Sequence, residues 1–174
     1  MKTLFLLRHA KSSWDDPLIS DFDRPLNKRG KSEAVVMGKF MKANGISPEL
    51  IVSSSAKRAR KTAKRISREI KYPKDKIIQE DAIYEAPVRK LLEIIIRLND
   101  KYSEVMLIGH NPGFSNLAAV FTDSKMPGDI TTCGLLAIDF DIASWKDITK
   151  GHGVKVFYYY PEHADVVKLI TGHK

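Results

Sequence analysis

Apolar positions along the chain follow two rhythms that alternate. Short unbroken runs, Thr3-Leu4-Phe5-Leu6-Leu7, Leu50-Ile51-Val52 and Val105-Met106-Leu107-Ile108, are separated by stretches where apolar residues recur every three or four positions. The runs predict strands buried on both faces, and the three-four spacing predicts amphipathic helices. Strands are therefore expected at about Lys2–Leu7, Leu50–Val52, Lys76–Gln79, Glu104–Ile108, Gly134–Phe140 and Val154–Tyr160, the last two hairpin-like at a sheet edge across a polar connector. Helices are expected at about Asn27–Asn44, Ala56–Ile70, Pro87–Asp100, Asn111–Thr122 and Ala164–Ile170. Asn27 and Asn111 are the proposed caps, Asn44-Gly45 a stop, and Pro87 and Pro112 first-turn prolines. Between Ser12 and Pro25 the chain reads as a polar, turn-rich loop.

Strands alternating with helices predict an α/β fold: a three-layer α/β/α sandwich on a mostly parallel sheet, with one antiparallel strand among the last elements. At 174 residues, with no linker or repeat, a single domain spanning 1–174 is expected. No apolar stretch approaches the roughly 18 residues of a membrane helix, and Met1-Lys2-Thr3 runs straight into a strand. These features point to a cytoplasmic protein without membrane association. Cys133 is the only cysteine, which excludes an intrachain disulfide and a thiolate zinc cluster.

The formal net charge is +8, and much of it is concentrated in Lys57, Arg58, Arg60, Lys61, Lys64, Arg65, Arg68, Lys71, Lys74 and Lys76. Such a helix could neutralise a nucleic-acid backbone. Charge runs are more often solvated faces, and nucleic acid is set aside as the lesser reading. A solvated face and a field that draws anionic substrates to a nearby pocket remain equally open.

The first and fourth strands each end in a histidine, Arg8-His9 and Gly109-His110. Ligands of such sheets bind just past the carboxyl ends of the strands, so both imidazoles can face one pocket. Arg58 stands one turn into the helix after the second strand, where free backbone N–H groups also point at that pocket. Arg60 competes with it for the inward position. Two guanidinium forks, Arg8 and Arg58, and two imidazoles suit a tetrahedral phosphoryl group. The bland alternatives are core histidines and an Arg8 that merely pairs with Asp21 or Asp23.

Arg8-His9-Ala10, the Ser-Ser-x-x-x-Arg-Ala-x-x-Thr-Ala pattern around Arg58, and Gly109-His110-Asn111-Pro112 together resemble the histidine phosphatase superfamily, which includes phosphoglycerate mutase-like enzymes. Arg8-His9-Ala10-Lys11-Ser12-Ser13-Trp14, followed by Asp21-Phe22-Asp23-Arg24-Pro25-Leu26-Asn27-Lys28-Arg29-Gly30, is similar to its SixA-type phosphohistidine phosphatase branch. The resemblance runs from residue 3 to about residue 122. It implies a phosphoglycerate mutase-like fold and a hydrolase in which neutral His9 attacks phosphorus, becomes a phosphohistidine and is released by water. Arg8, Arg58 and His110 would hold the phosphoryl oxygens, and the two arginines would depress the His9 pKa. No metal or cofactor is implied, because the arginines supply the positive charge.

The proton donor is less defined. Glu85 stands in the interval where relatives carry a catalytic carboxylate, and Asp21 and Asp23 are rivals in a loop that could cover the pocket. A third option is that no protein acid is needed, which an imidazole leaving group with a pKa near 6.5 would tolerate. Ser12 and Lys11 are candidates for further oxygen contacts. The expected substrate bears phosphate, foremost a phosphohistidine on a protein; the alternatives are a small phosphomonoester and a phospho-binding module without turnover. His152, His163 and His173 are expected at the surface. Gly30-Lys31-Ser32 imitates the end of a P-loop, but Pro25 stands where its first glycine should be.

Overall fold

The computed structural model describes residues 1–122, 128–148 and 153–171. Six strands, β1 (Lys2–Arg8), β2 (Leu50–Ser53), β3 (Ile78–Gln79), β4 (Glu104–Gly109), β5 (Leu135–Phe140) and β6 (Lys155–Tyr159), form one sheet in the order β3-β2-β4-β1-β5-β6. Pairings β1–β4, β2–β4 and β2–β3 are parallel, while β5 runs antiparallel to both β1 and β6. The helices are α1 (Lys28–Ala43), α2 (Lys57–Glu69), α3 (Val88–Ile95), α4 (Gly113–Thr122) and α5 (Ala164–Thr171).

Alternation along β1 divides the core. Leu4 and Leu6 face a cluster with Leu91 and Ile95 of α3 and Phe114 and Leu117 of α4. Phe5 and Leu7 face Met37 and Met41 of α1 and Ala59, Ala63 and Ile66 of α2. That is the three-layer α/β/α arrangement. The missing side chain of Gly38 lets α1 close on α2, for a Cβ there would lie 2.7 Å from Glu69 Cβ.

Several boundaries differ from the sequence expectation. The third helix ends at Ile95 rather than Asp100, because Arg97 and Leu98 bond to carbonyls three residues back, tightening the helix into turns. The strand expected from Lys76 is only Ile78–Gln79, since Lys74–Lys76 forms a 3₁₀ turn. The fourth helix begins at Gly113, after a cis Asn111–Pro112 peptide. Asn111 does not cap it; its Nδ2 donates to Ile130 O at 3.0 Å. The connector between β5 and β6 is not simply polar either, for it sends Trp145 and Ile148 into the core. His152 and His173 lie outside the described residues.

The topology creates one crevice. From β1 the chain passes to α1 on one face of the sheet, and from β4 it passes to α4 on the other. Neighbouring parallel strands whose connections leave to opposite sides open a gap at their carboxyl ends. The register pairs Arg8 with Gly109, so His9 and His110 leave the sheet side by side. Backbone bonds continue the ladder past the strands: His9 N donates to Gly109 O at 3.0 Å and Ser54 N to Ile108 O at 2.8 Å.

Candidate active site

His9 and His110 have ring centroids 5.1 Å apart, and both are almost fully buried. The His9 ring is held by its own chain: Nδ1 lies 2.8 Å from Ala10 O. A carbonyl can only accept, so Nδ1 carries the proton and the lone pair belongs to Nε2. That lone pair faces Arg58, whose Nε donates to it at 3.2 Å.

The segment bearing His9 is fixed from two sides. Ala10 N donates to Thr62 Oγ1 at 3.0 Å, one turn beyond Arg58 on α2. Lys11 O accepts from Asn27 N at 3.0 Å, and Asn27 Oδ1 caps α1 by accepting from Gly30 N at 2.8 Å. Gly30 is required there, because a Cβ would sit 2.1 Å from Lys11 O. This backbone contact is its role, rather than a phosphate loop. Cys133, in a left-handed conformation at φ 59°, donates its N–H to the carbonyls of Arg8 and His9 from the other side, each at 3.1 Å.

His110 is oriented by Ser54, with Nε2 2.7 Å from Ser54 Oγ. Its Nδ1 is buried and has no hydrogen-bond partner among the described residues, and the same is true of Arg8 Nε. Arg8 pairs with neither Asp21 nor Asp23; Nη1 donates to Ile130 O at 2.8 Å. With its proton on Nδ1, His110 would join Arg8 Nε as a second buried donor beside the His9 lone pair, a constellation that an anion would complete.

Burial is the main cause of the His9 pKa, pushed down from 6.5 to about 3, with the charges of His110, Arg58 and Arg8 adding to it. His110 is lowered to about 4, again chiefly by burial and then by Arg58. The arginines thus contribute to the depression, but desolvation outweighs them. Both rings are neutral near pH 7.

Asp21 lies in the site in an ionised role. Arg58 Nη2 reaches its Oδ2 at 2.9 Å and Nη1 its backbone carbonyl at 2.5 Å. Tyr84 OH donates to Oδ2 at 2.8 Å, and Arg24 Nη1 to Oδ1 at 2.9 Å. Partial burial works to raise the Asp21 pKa, but the bonds from Tyr84 and Arg24 and the charge of Arg58 prevail and bring it to about 2. Asp23 is exposed, its Oδ2 accepting from Ser20 Oγ at 2.8 Å. Ser12 is buried and accepts from Arg24 Nη2 at 2.6 Å, and Lys11 points to solvent. Glu85 is exposed, directly after Tyr84, on a turn with φ 52°. Arg58 is buried and Arg60 exposed, which assigns the inward position to Arg58. His163 is 30 % exposed, its Nδ1 3.7 Å from Asp165 Oδ2.

Ser54, Thr62, Arg24 and Tyr84 also build the site, although their residue types alone assigned them no role. The first three stand inside the quoted motifs, so a signal existed. Tyr84 had none, since only the fold brings residue 84 to residue 21.

Residues 4–104 match the family model of the histidine phosphatase superfamily, branch 1. An uncharacterised protein of Mycobacterium tuberculosis is 30 % identical over 166 residues, covering 89 % of this chain and 99 % of that protein. A structure assigned to the SixA phosphohistidine phosphatases, from Agrobacterium tumefaciens, superposes with a TM-score of 0.75 at 28 % identity, over 90 % of this chain and 97 % of the other. The fold is shared too with a protein histidine phosphatase SixA complexed with tungstate, at TM-score 0.77, 22 % identity and coverage of 91 % and 97 %.

Proposed function

The chain belongs to the histidine phosphatase superfamily, and from that premise we propose that it hydrolyses phosphohistidine on a protein through a phospho-His9 intermediate. The observation that carries the reading is the His9 ring, its proton committed to Ala10 O and its Nε2 lone pair set among Arg58, Arg8 and His110. Nε2 attacks phosphorus as the bond from phosphorus to the substrate ring breaks, its electron pair returning to that ring. Water then adds to phosphorus through oxygen, the bond to Nε2 breaks, and the water proton passes to the released phosphate. Arg58, Arg8 Nε and His110 Nδ1 hold the equatorial oxygens, where charge accumulates in the transition state. Tungstate in the SixA structure, a tetrahedral oxyanion, is the kind of guest this set suits.

The state of the carboxylates supports the substrate class. Asp21 is ionised and engaged by two arginines, so it has no proton to donate. Asp23 is turned to Ser20. An alkoxide leaving group would need a strong donor, whereas a phosphorylated imidazole binds a proton on its second nitrogen near neutral pH and departs as neutral imidazole.

The test is trapping. Wild-type protein is incubated with a labelled phosphoryl donor, quenched in base, and mapped for label. Acid-labile, base-stable label on His9 is expected, with no turnover by His9→Ala. An acid-stable, base-labile adduct, or full activity in His9→Ala, would sink the mechanism.

A further inference from the structure

The loop between His9 and the Asp21 turn presents two apolar side chains outward: Trp14 is 73 % exposed and Leu18 93 %. The Trp14 indole is braced on one side. Arg24 stacks on the indole, its Cζ 3.1 Å from the ring centroid. That guanidinium is itself held on three sides, with Nε donating to Ser13 O at 3.0 Å, Nη2 to Ser12 Oγ at 2.6 Å and Nη1 to Asp21 Oδ1 at 2.9 Å. Asp21 in turn takes Arg58, which contacts His9. Trp14 is therefore linked to the candidate nucleophile through two arginines and one carboxylate. Turns in which side chains accept backbone N–H groups, Asp15 N to Ser13 Oγ at 3.0 Å and Leu18 N to Asp16 Oδ1 at 2.9 Å, shape the loop around it.

With Arg24 covering one face of the ring, the exposure of Trp14 belongs mainly to the other face. A large flat side chain, already immobilised, binds a partner at little entropic cost, and tryptophan is enriched among the residues that dominate protein interfaces. A small phosphate ester would gain nothing from Leu18, almost wholly in solvent.

We propose that Trp14 and Leu18 form the docking platform for a protein substrate, whose apolar surface beside its phosphohistidine packs on the open indole face. The inference rests on the protein-phosphohistidine reading above. The buried arginines and histidines would read the phosphoryl group, and the platform would read the protein that carries it.

The experiment compares two substrates in wild type, Trp14→Ala, Trp14→Phe and Leu18→Ser. One is a histidine-phosphotransfer domain phosphorylated with phosphoramidate; the other is free phosphohistidine. For Trp14→Ala, KM on the protein is expected to rise about tenfold or more. On free phosphohistidine, kcat/KM should change less than about twofold. Leu18→Ser should show a smaller shift of the same kind, and Trp14→Phe should restore most of the loss. An equal loss on both substrates would make Trp14 a structural support for Arg24 and overturn the proposal. So would unchanged KM on the protein, or a change of oligomeric state by sedimentation, which would make the platform a self-association surface. Wild type that cleaves small esters but not the phosphorylated domain would overturn the substrate reading and the platform with it. Wild type active on the domain, with Trp14→Ala indifferent, overturns the platform alone.

Discussion

Burying two neutral imidazoles makes folding sensitive to mild acid, and the size of the effect follows from the structure. In the unfolded chain both histidines have pKa values near 6.5; in the folded state His9 falls to about 3 and His110 to about 4. Between those values the unfolded state binds more protons, so stability is fully present above pH 6.5 and is lost as pH falls. At pH 5 an unfolded imidazole is protonated about thirty to one, while the folded rings are almost entirely neutral. Each ring then loses about 1.5 pH-equivalents at 1.36 kcal/mol, roughly 2 kcal/mol, and the pair about 4 kcal/mol between pH 8 and pH 5. The sum hardly depends on the folded values, provided both lie below 5. Against a total of about 5–15 kcal/mol this is a large fraction. Urea unfolding of wild type and of His9→Gln/His110→Gln at both pH values isolates it, because every other titrating group is common to the two proteins. The wild type should lose about 4 kcal/mol more than the double variant. Equal losses would refute the claim that these rings are buried neutral.

Two further outcomes follow from single positions. Gly30→Ala places a methyl 2.1 Å from Lys11 O, and since that oxygen is backbone and the methyl is rigidly fixed to Cα, the loop bearing His9 must shift. Thermal unfolding should report a loss of about 1–3 kcal/mol, with kcat falling alongside, and a neutral result would show that the contact yields freely. Glu85→Gln separates the substrate classes: rates on an alkyl phosphate, whose alkoxide leaving group calls for a proton, and on phosphohistidine should both stay within about threefold of wild type if no protein acid is needed. A loss above about a hundredfold confined to phosphate esters would restore Glu85 as a proton donor and favour a small phosphomonoester.

Much of the architecture was legible because it is local. The runs Leu4–Leu7 and Val105–Ile108 are apolar on both faces, a pattern that only a covered sheet accommodates. The Ala59, Ala63, Ile66 stripe on an otherwise basic helix declares which side packs. Element ends were less legible where a competing partner lay far along the chain. Asn111 looks like a helix cap until Ile130, nineteen residues on, takes its amide. Lys76 looks like the start of a strand until the 3₁₀ turn Lys74–Lys76 claims it.

The division at the site has the same origin. By itself the sequence determined the α/β class and the placement of two histidines at strand ends, because these depend on residue type and on periodicity along one chain. Only the tertiary structure decided that Nε2 of His9 holds the lone pair, that burial more than arginine keeps the ring neutral, and that Asp21 is an ionised clasp on Arg58. Those properties depend on distance and desolvation, which the register of β1 against β4 and the crossing of α2 create between residues tens of positions apart.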